Sequence, residues 1–228
     1  VSLDHHGSLG PTDRDATLET IGRAVAEGRK ALQEARYAVL TFGTAWVYRH
    51  RKTGRIAANC HKLPASEFER ERLSADDIVR TLLPVVEREL EGKHVVLTVS
   101  PIRHLSDGHD GNMLSKATLI VAVHRLTELC PRCRYFPAYE IMNDDLRDYR
   151  FYERDMVHPS QTAIDYIWEA FRRMTVDEEA SRLFDRLDAL ERAAAHRPFD
   201  PLGEEHLRFR QRMWREAQLL QQSHPHLD

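Results

Sequence analysis

The sequence has few cysteines, no long apolar run and little net charge. These absences disfavour a disulfide-bonded protein, a membrane-spanning protein and a nucleic-acid-binding protein, respectively. Only three of its 228 residues are cysteine, and a small, odd number favours a reducing compartment over a disulfide framework. No apolar run approaches the roughly 20 residues that a bilayer span requires. The first residues, VSLDHH, lack the basic and apolar segments of a signal peptide. We therefore expect a cytoplasmic protein that has no membrane partner.

The sequence also has little excess of one sign of charge over the other. The 33 lysine and arginine residues nearly balance the 36 aspartate and glutamate residues, which gives a formal net charge of -3 at pH 7. So small a net charge offers no electrostatic argument for a nucleic-acid partner. Hydrophobic residues make up 42% of the chain, so its 228 residues are enough to bury a substantial core. We expect one globular domain with an appendage.

Apolar runs and helical patterns alternate over residues 1–175. Continuous apolar runs predict strands at 37–42, 94–99 and 134–136. Apolar residues at helical spacing predict helices at 12–35, 74–91, 114–129 and from Ser160 onward. The expected N-caps are Thr12 or Asp13 and Ser74, and Pro84 is expected to kink its helix. Apolar strands separated by helices indicate an α/β fold whose parallel sheet is covered on both faces.

The rest of the chain has a different pattern. Charged residues alternate with large apolar residues at helical spacing over 176–195 and 204–222, and the prolines of 198–201 separate the two stretches. We predict an α/β domain at 1–175 and a C-terminal α-helical hairpin at 176–228. The hairpin is expected to pack on the domain or on a second copy of the chain, which would give a homo-oligomer.

The segment from Asp155 to Ser160 carries the pattern that points most directly to chemistry. An aspartate three residues before a histidine lets the Asp155 carboxylate reach the Nδ1–H group of His158. That contact would leave Nε2 free to take a proton from a hydroxyl group. Pro159 suits the first turn of a helix, so the pair is expected on a loop at a helix entrance. The alternative is an acidic approach to a helix with an incidental histidine.

Further polar residues follow the predicted strands. Sites in open parallel sheets form where the strands end. The segments after the first two predicted strands contain Arg49, His50, Ser100, Arg103 and His104. We expect His50, His104 and His158 to face one crevice, with the two arginines nearby. Such a crevice suits an anionic or polar substrate, and the alternative is polarity that serves solvation alone.

Five blocks of sequence resemble one known family. They are FGTAWVYRH at 42–50, NCHKLP at 59–64, TVSPIRH at 98–104, YFPAYEI at 135–141 and DMVHPS at 155–160. In this order they resemble the GSCFA domain family, which is grouped with the SGNH (GDSL-like) hydrolases. The resemblance runs from Leu3 to Met174 and implies a three-layer flavodoxin-like parallel sheet. It also implies hydrolysis or transfer of an acyl ester, with a small-molecule or carbohydrate ester as substrate.

The resemblance implies roles for several residues. Asp155 is the expected orienting acid and His158 the expected general base. Gly43 and Thr44 match a Gly-x-Asn block whose asparagine stabilises the oxyanion, but Ala45 stands in place of that asparagine here. Loss of one oxyanion donor typically lowers the rate by about 10²–10³. The expected pocket residues are His5, His6, Asn59, His61, Ser100 and His104, with Lys62 as a further contact for an anion.

The family's naming motif, Gly-Ser-Cys-Phe-Ala, holds the family's proposed nucleophilic serine and does not occur in this sequence. We therefore expect the sheet to lack its first strand, the nucleophile and the covering helix, and these residues to have little or no activity. Ser100 and Ser8 are weaker alternatives for the nucleophile. Ser100 precedes Pro101 without a nucleophile elbow, and Ser8 lies in a terminal segment.

Two other groups of residues have the types, but not the arrangement, of a redox or metal site. Cys130 and Cys133 have C-x-x-C spacing but fall at a helix end before a strand, so we expect ordinary cysteines rather than a redox pair. Residues 4–6 and 60–61 include metal-ligating types without a fixed short spacing, and we predict neither a metal nor a cofactor. The alternatives to an ester-processing enzyme are a non-catalytic binding protein and a structural protein that assembles through its helical tail.

Overall fold

The computed structural model describes residues 2–9 and 13–225, and the chain divides into two units, Val1–Trp168 and Glu169–Asp228. The predicted domain boundary at 175/176 stays a prediction. The strands are β1 Tyr37–Phe42, β2 Trp46–His50, β3 Ile56–Ala57, β4 Phe68–Arg72, β5 His94–Val99 and β6 Cys133–Phe136. The helices are α1 Arg14–Glu34, α2 Ala75–Pro84, α3 Gly108–Leu129, α4 Ala138–Glu140, α5 Gln161–Thr175, α6 Glu178–Ala195 and α7 Glu204–Ser223.

The predicted parallel sheet is confirmed. It has three strands in the order β1-β5-β6, and all neighbours are parallel. The register pairs Tyr37 with His94 and Phe42 with Val99, so β1 and β5 end level with each other. Because parallel strands leave a sheet at the same edge, the segments that follow β1 and β5 start side by side.

Helices α2 and α3 cover one face of this sheet. Leu97 of β5 and Val123 and Leu126 of α3 are fully buried there, and alternate residues of β1 pack against them. The sequence predicted that helices cover both faces of the sheet, but the opposite face is covered only in part. There Val96 and Thr98 of β5 are buried, whereas Tyr37 and Val39 of β1 are 61% and 51% exposed. Helix α1 buries none of its residues.

A second sheet, which the sequence did not predict, follows β1. Strands β2, β3 and β4 form it in the antiparallel order β3-β2-β4. Charged residues make up most of β4 (FERER), and they pair across strands, as Arg49 does with Glu71. Such a strand has no apolar run, and pairing between distant segments stabilises it instead. The loop predicted at 43–50 is therefore a short turn followed by β2.

Helix starts and ends follow their capping chemistry. The Ser74 hydroxyl accepts from Asp77 N–H, and the Asp77 carboxylate accepts from Ser74 N–H, which confirms the predicted cap as a capping box. Asp13 caps α1 through Ala16 N–H, and Thr12 lies outside the described residues. At Pro84 the α-helix changes to a π-helical turn, Val85–Glu89, because proline lacks the N–H that continues the ladder. Helix α3 starts at Gly108, earlier than its apolar pattern.

The second unit is helical, as the sequence predicted for the C-terminal region. Buried Arg172 donates to Asp185 Oδ1 at 2.7 Å, to Glu169 Oε1 at 2.9 Å and to the Ser181 carbonyl at 3.1 Å. These bonds engage the two terminal nitrogens of a buried guanidinium and offset part of the cost of burying it, whereas its Nε is buried without a hydrogen-bond partner among the described residues. Across the described residues of both units, every helix is too short or too polar to cross a membrane.

Candidate active site

The loop that carries Asp155 and His158 is held by its own hydrogen bonds. Asp155 Oδ2 accepts from His158 Nδ1 at 2.6 Å. Its Oδ1 accepts from the backbone N–H groups of Val157 at 2.9 Å and His158 at 3.0 Å. Glu153 N–H donates to the His158 carbonyl at 2.8 Å and closes the loop. We name residues 153–159 the dyad loop.

These contacts fix the charge of Asp155. The backbone N–H of His158, then its imidazole and then the N–H of Val157 lower the pKa of Asp155 to about 2. The carboxylate is therefore ionised at neutral pH and accepts the Nδ1 proton, which leaves Nε2 available for a second partner. The side chains of Asp155 and His158 are 49% and 57% exposed. The pair is geometrically fit for general-base chemistry, and its catalytic role stays a prediction.

Arg103 connects the dyad loop to the end of β5. Its Nη1 donates to the Met156 carbonyl at 3.3 Å. Its guanidinium lies 4.0 Å from the ring centroid of buried Tyr152, in cation–π geometry. Met156 has a φ of 60°, so the backbone of the dyad loop takes a left-handed conformation at the residue that Arg103 contacts. Arg103 was expected beside the crevice, and the structure shows its guanidinium engaged in holding this loop.

Two polar residues of α3 bond the segments at the strand ends, and one of them, Lys116, joins the end of β1 to the end of β5. Lys116 Nζ donates to the carbonyl of Gly43 at 2.6 Å and to that of Ser100 at 2.7 Å. Ser115 Oγ accepts from Ala45 N–H at 2.8 Å and lies 3.1 Å from the Thr44 hydroxyl. We name Gly43–Ala45, Ser100, Ser115 and Lys116 the strand-end cluster. The Ala45 amide is thus committed to Ser115 and is not free to bind an oxyanion.

Burial changes the pKa of the strand-end cluster and of its neighbour His104. Lys116 is 0% exposed, and this burial lowers its pKa to about 8. The pKa of His104 is also lowered, first by burial and then by the charge of Lys116. His104 Nε2 lies 3.5 Å from where a Cβ on Gly43 would stand, so glycine permits this close approach. The backbone N–H of His104 donates to Asn112 Oδ1 at 3.0 Å.

The predicted pocket residues near the N-terminus form a separate group. His61 Nε2 lies 2.6 Å from the Ser2 carbonyl, and Asn59 Oδ1 accepts from His61 N–H at 2.8 Å. His5 Nδ1 lies 2.9 Å from the Ser2 hydroxyl, and His6 Nδ1 lies 2.8 Å from the hydroxyl of Ser8. The His61 contact joins residues 2–8 to the segment around His61. The His5 and His6 contacts lie within residues 2–8, so the role of these residues in a pocket stays a prediction.

Arg49 and His50 make their contacts within the antiparallel sheet. Both lie in β2, where Arg49 contacts Glu71 and donates to the Gly54 carbonyl at 2.7 Å. His50 Nδ1 lies 3.0 Å from the Thr53 hydroxyl at the end of the same hairpin. These contacts engage both side chains within the antiparallel sheet, and the expectation that they face one crevice with His104 and His158 stays a prediction.

The remaining candidates are placed as follows. Ser100 Oγ accepts from Ile102 N–H at 3.3 Å, and the Ser8 hydroxyl is engaged by His6. Cys130 and Cys133 are buried free thiols, and burial followed by contact with Cys130 raises the pKa of Cys133 to about 12. A thiol so far from ionisation at neutral pH is a poor redox nucleophile. Among the described residues, no three His, Cys, Asp or Glu side chains converge as metal ligands would.

Sequence reasoning missed Ser115 and Lys116, although the sequence held a signal for Lys116. The lysine stands three residues before Leu119 and seven before Val123, so it falls on the apolar stripe of α3 that faces the sheet. A lysine on a core-facing stripe requires buried partners. The identity of those partners, two backbone carbonyls, depends on the fold and could not be deduced from the pattern.

Most of the chain matches one protein family. A model of the GSCFA family matches residues 1–171. The chain belongs to the GSCFA family. A second model, described as the C-terminal domain of GSCFA domain proteins, matches residues 187–228. No curated protein and no solved structure matches the chain significantly. The strand-end cluster and the dyad loop both lie within the GSCFA match.

Proposed function

We propose that this GSCFA protein is an SGNH-type ester hydrolase or acyltransferase in which His158 is the general base and Asp155 orients it. The observation that carries the proposal is the 2.6 Å contact between Asp155 Oδ2 and His158 Nδ1. In the proposed reaction, Nε2 takes the proton of an attacking hydroxyl as its oxygen bonds to the acyl carbon. His158 then gives that proton to the departing alkoxide. The acceptor of the acyl group is water or a second hydroxyl.

The proposed nucleophile is the serine of the family's Gly-Ser-Cys-Phe-Ala motif, which these 228 residues do not contain. We accordingly expect these residues by themselves to turn over no ester, because a base without its nucleophile retains little activity. Gly43, Thr44, Ser100 and His104 are proposed to line the acyl pocket at the strand ends. His5, His6, Asn59 and His61 are proposed as a more distant part of its wall.

We also propose that the sheet belongs to a three-layer flavodoxin-like arrangement with a further strand beside β1. The sheet order β1-β5-β6 leaves one edge of β1 unpaired among the described strands. Tyr37 and Val39, on the face of β1 that α2 and α3 do not cover, are 61% and 51% exposed. An unpaired edge with exposed apolar side chains is unfavourable in water, so a strand and a helix that cover them would stabilise the sheet.

The test is ester turnover by the protein in the form that its own cells make. The substrates are a series of p-nitrophenyl acyl esters and an acetylated oligosaccharide. Asp155→Asn and His158→Ala should each lower kcat by about 10³ or more, because they remove the oriented base. Asp148→Asn and His109→Ala are the matched controls. Asp148 accepts from Arg150 N–H in a similar turn, and His109 is an exposed histidine of α3.

Two outcomes would contradict the proposal. Undiminished turnover in Asp155→Asn and His158→Ala would show that the dyad loop is not the acid–base site. A protein that binds the acetylated oligosaccharide with a rise in melting temperature but hydrolyses none of the esters would instead support a non-catalytic binding function.

A second candidate function is self-association through the helical unit, and exposed apolar side chains there favour it. Trp214, Leu202 and Phe199 are 67%, 84% and 107% exposed. Apolar side chains this exposed and this close in sequence are typical of an interaction surface. Light scattering should show a dimer or larger species that Trp214→Glu converts to monomer. Glu204→Gln, a change on the same helix that leaves the apolar residues intact, should have no effect.

A further inference from the structure

Among the described residues of the first unit, Lys116 is the most deeply buried charged residue, and its ammonium group donates to two backbone carbonyls. Its exposed fraction is 0%, and Nζ donates to the carbonyls of Gly43 and Ser100. The ring of Tyr139 lies 5.8 Å from Nζ. Because an ammonium group loses much solvation when buried, a lysine at this position costs stability that an apolar residue would not.

The apolar surroundings of Lys116 make that cost easy to avoid. Leu119, Val123 and Leu126 continue the same stripe of α3 into the core. A methionine at position 116 would fill similar space without a charge. A residue that is unfavourable for packing and yet bonded to two loops suggests a role in holding those loops.

The two carbonyls belong to the segments that follow β1 and β5. The Gly43 segment carries Thr44, and the Ser100 segment continues to Arg103, which donates to the Met156 carbonyl of the dyad loop. A shift of Ser100 relative to Gly43 would therefore move the dyad loop relative to the expected acyl pocket.

We propose that Lys116 is a positioning residue of the candidate active site, whose ammonium group bridges the Gly43 and Ser100 carbonyls and so fixes the acyl pocket relative to the dyad loop. The inference rests on the proposed ester chemistry of His158. Lys116 acts through the backbone of two loops and does not contact the reacting atoms in this role.

Lys93 provides a matched control at the opposite end of the same two strands. Its Nζ donates to the Ala35 carbonyl at 2.8 Å and lies 3.5 Å from the Gln33 carbonyl, just before β1 begins. Lys93 itself stands just before β5. Both lysines therefore join β1 to β5 through backbone carbonyls, but only Lys116 does so at the end where the candidate site lies.

The first experiment needs no substrate and compares Lys116→Met, Lys116→Arg and Lys93→Met in this chain. Hydrogen exchange of the amides of 43–45, of Ser100 and of 102–104 should accelerate by about tenfold or more in Lys116→Met, because these segments lose a bond that ties them together. Lys93→Met should leave the exchange of these amides unchanged. Unchanged exchange in Lys116→Met would overturn the proposal.

The imidazole of His104 provides a second readout, by NMR titration. The groups that face it are Lys116, Asp107, Arg70 and the Gly43 carbonyl. Removal of the Lys116 charge should raise the pKa of His104 in Lys116→Met, whereas Lys116→Arg keeps the charge and should keep that pKa low. An unchanged titration of His104 in Lys116→Met would mean that the Lys116 ammonium group does not lie beside His104 at the strand ends, and that result would overturn the proposal.

The wild-type chain provides a measurement that does not depend on the folding of any variant. Ammonium protons that are held by two carbonyls should exchange with water at least about tenfold more slowly than those of exposed Lys52. Exchange as fast as that of Lys52 would overturn the proposal.

Turnover separates this inference from the proposed function. In the protein as its cells make it, Lys116→Met should lower kcat by about 10² with little change in KM, because misplacement of a base by about 1 Å has an effect of that size. If the exchange and titration results hold but no ester is turned over by wild type, the proposed function fails and the bridge between the strand ends stands. If wild type turns over esters and Lys116→Met keeps full kcat, the positioning role fails alone.

Discussion

The dyad loop and the strand-end cluster are both parts of the candidate site, but they are built in opposite ways. Asp155 and His158 are three residues apart, and their side chains are about half exposed. Lys116 and Ser115 are fully buried or nearly so, and they bond residues 73 and 70 positions away along the chain. The exposed pair can change its protonation with little effect on the fold. Lys116 and Ser115 differ, because their hydrogen bonds connect distant parts of the chain and are part of the fold.

The largest expected effect is on the pH dependence of stability and comes from Lys116. Its pKa falls from 10.5 to about 8 in the folded chain because of burial. Between these values the unfolded chain binds a proton that the folded chain does not, so the free energy of unfolding rises as pH increases. A shift of this size corresponds to a rise on the order of 3 kcal/mol. Below about pH 8 the unfavourable charge is fully present, and stability is at its lower value.

Urea unfolding of wild type and Lys116→Met across this interval measures the effect. The difference between the two curves is the readout, because other groups such as Tyr135, whose pKa burial raises, titrate in both proteins. Wild type should gain stability relative to Lys116→Met as pH rises, and Lys93→Met should follow wild type. Parallel curves for wild type and Lys116→Met would mean that Lys116 keeps an ordinary pKa in the folded chain.

Ser115→Ala should have the next largest effect. The change leaves the buried N–H of Ala45 without its acceptor, and an unsatisfied buried donor typically costs about 1–3 kcal/mol. Ser106→Ala is the control, because Ser106 is exposed and precedes the same helix. Equal unfolding free energies for the two variants would show that the strand-end cluster contributes no more to stability than an exposed hydroxyl.

The acid titration of Asp155 should be local and smaller. Because its pKa is lowered to about 2, the contacts of its carboxylate persist above that pH and are lost as pH falls through it. The carboxyl carbon shift of Asp155 should therefore change well below the ordinary value of about 3.9. In His158→Ala the midpoint should rise only part of the way, since the backbone N–H groups at 157 and 158 remain. A midpoint near the ordinary value in wild type would contradict the observed loop geometry.

The contrast between local contacts in the dyad loop and long-range contacts in the strand-end cluster also explains which features could be predicted from the sequence. The apolar runs of the three parallel strands, the Ser74 cap and the approach of Asp155 to His158 each depend on residues close together in the chain. Apolar runs, caps and short spacings are sufficient evidence for features of this kind. They are the features that sequence reasoning placed correctly.

Two features that depend on distant partners were missed. Strand β4 is mostly charged and is recognisable only once it pairs with β2, so the sequence did not predict the antiparallel sheet. The partners of Lys116 lie 73 and 16 residues away, and a pattern along one helix shows only that such partners must exist. A strand without an apolar run and the partners of a buried polar side chain depend on the rest of the fold, so patterns along the sequence do not identify them.

The smallest expected effect is the change in stability on His158→Ala. The side chain is 57% exposed, and the contact it loses is a surface contact, so the free energy of unfolding should change by less than about 0.5 kcal/mol. Urea unfolding at neutral pH measures this, with His109→Ala as the control. A loss of several kcal/mol would mean that His158 is a structural residue and that the dyad loop resembles the strand-end cluster after all. A negligible loss of stability together with abolished turnover would mean that Asp155 and His158 carry out the chemistry, whereas Lys116 and Ser115 stabilise the fold.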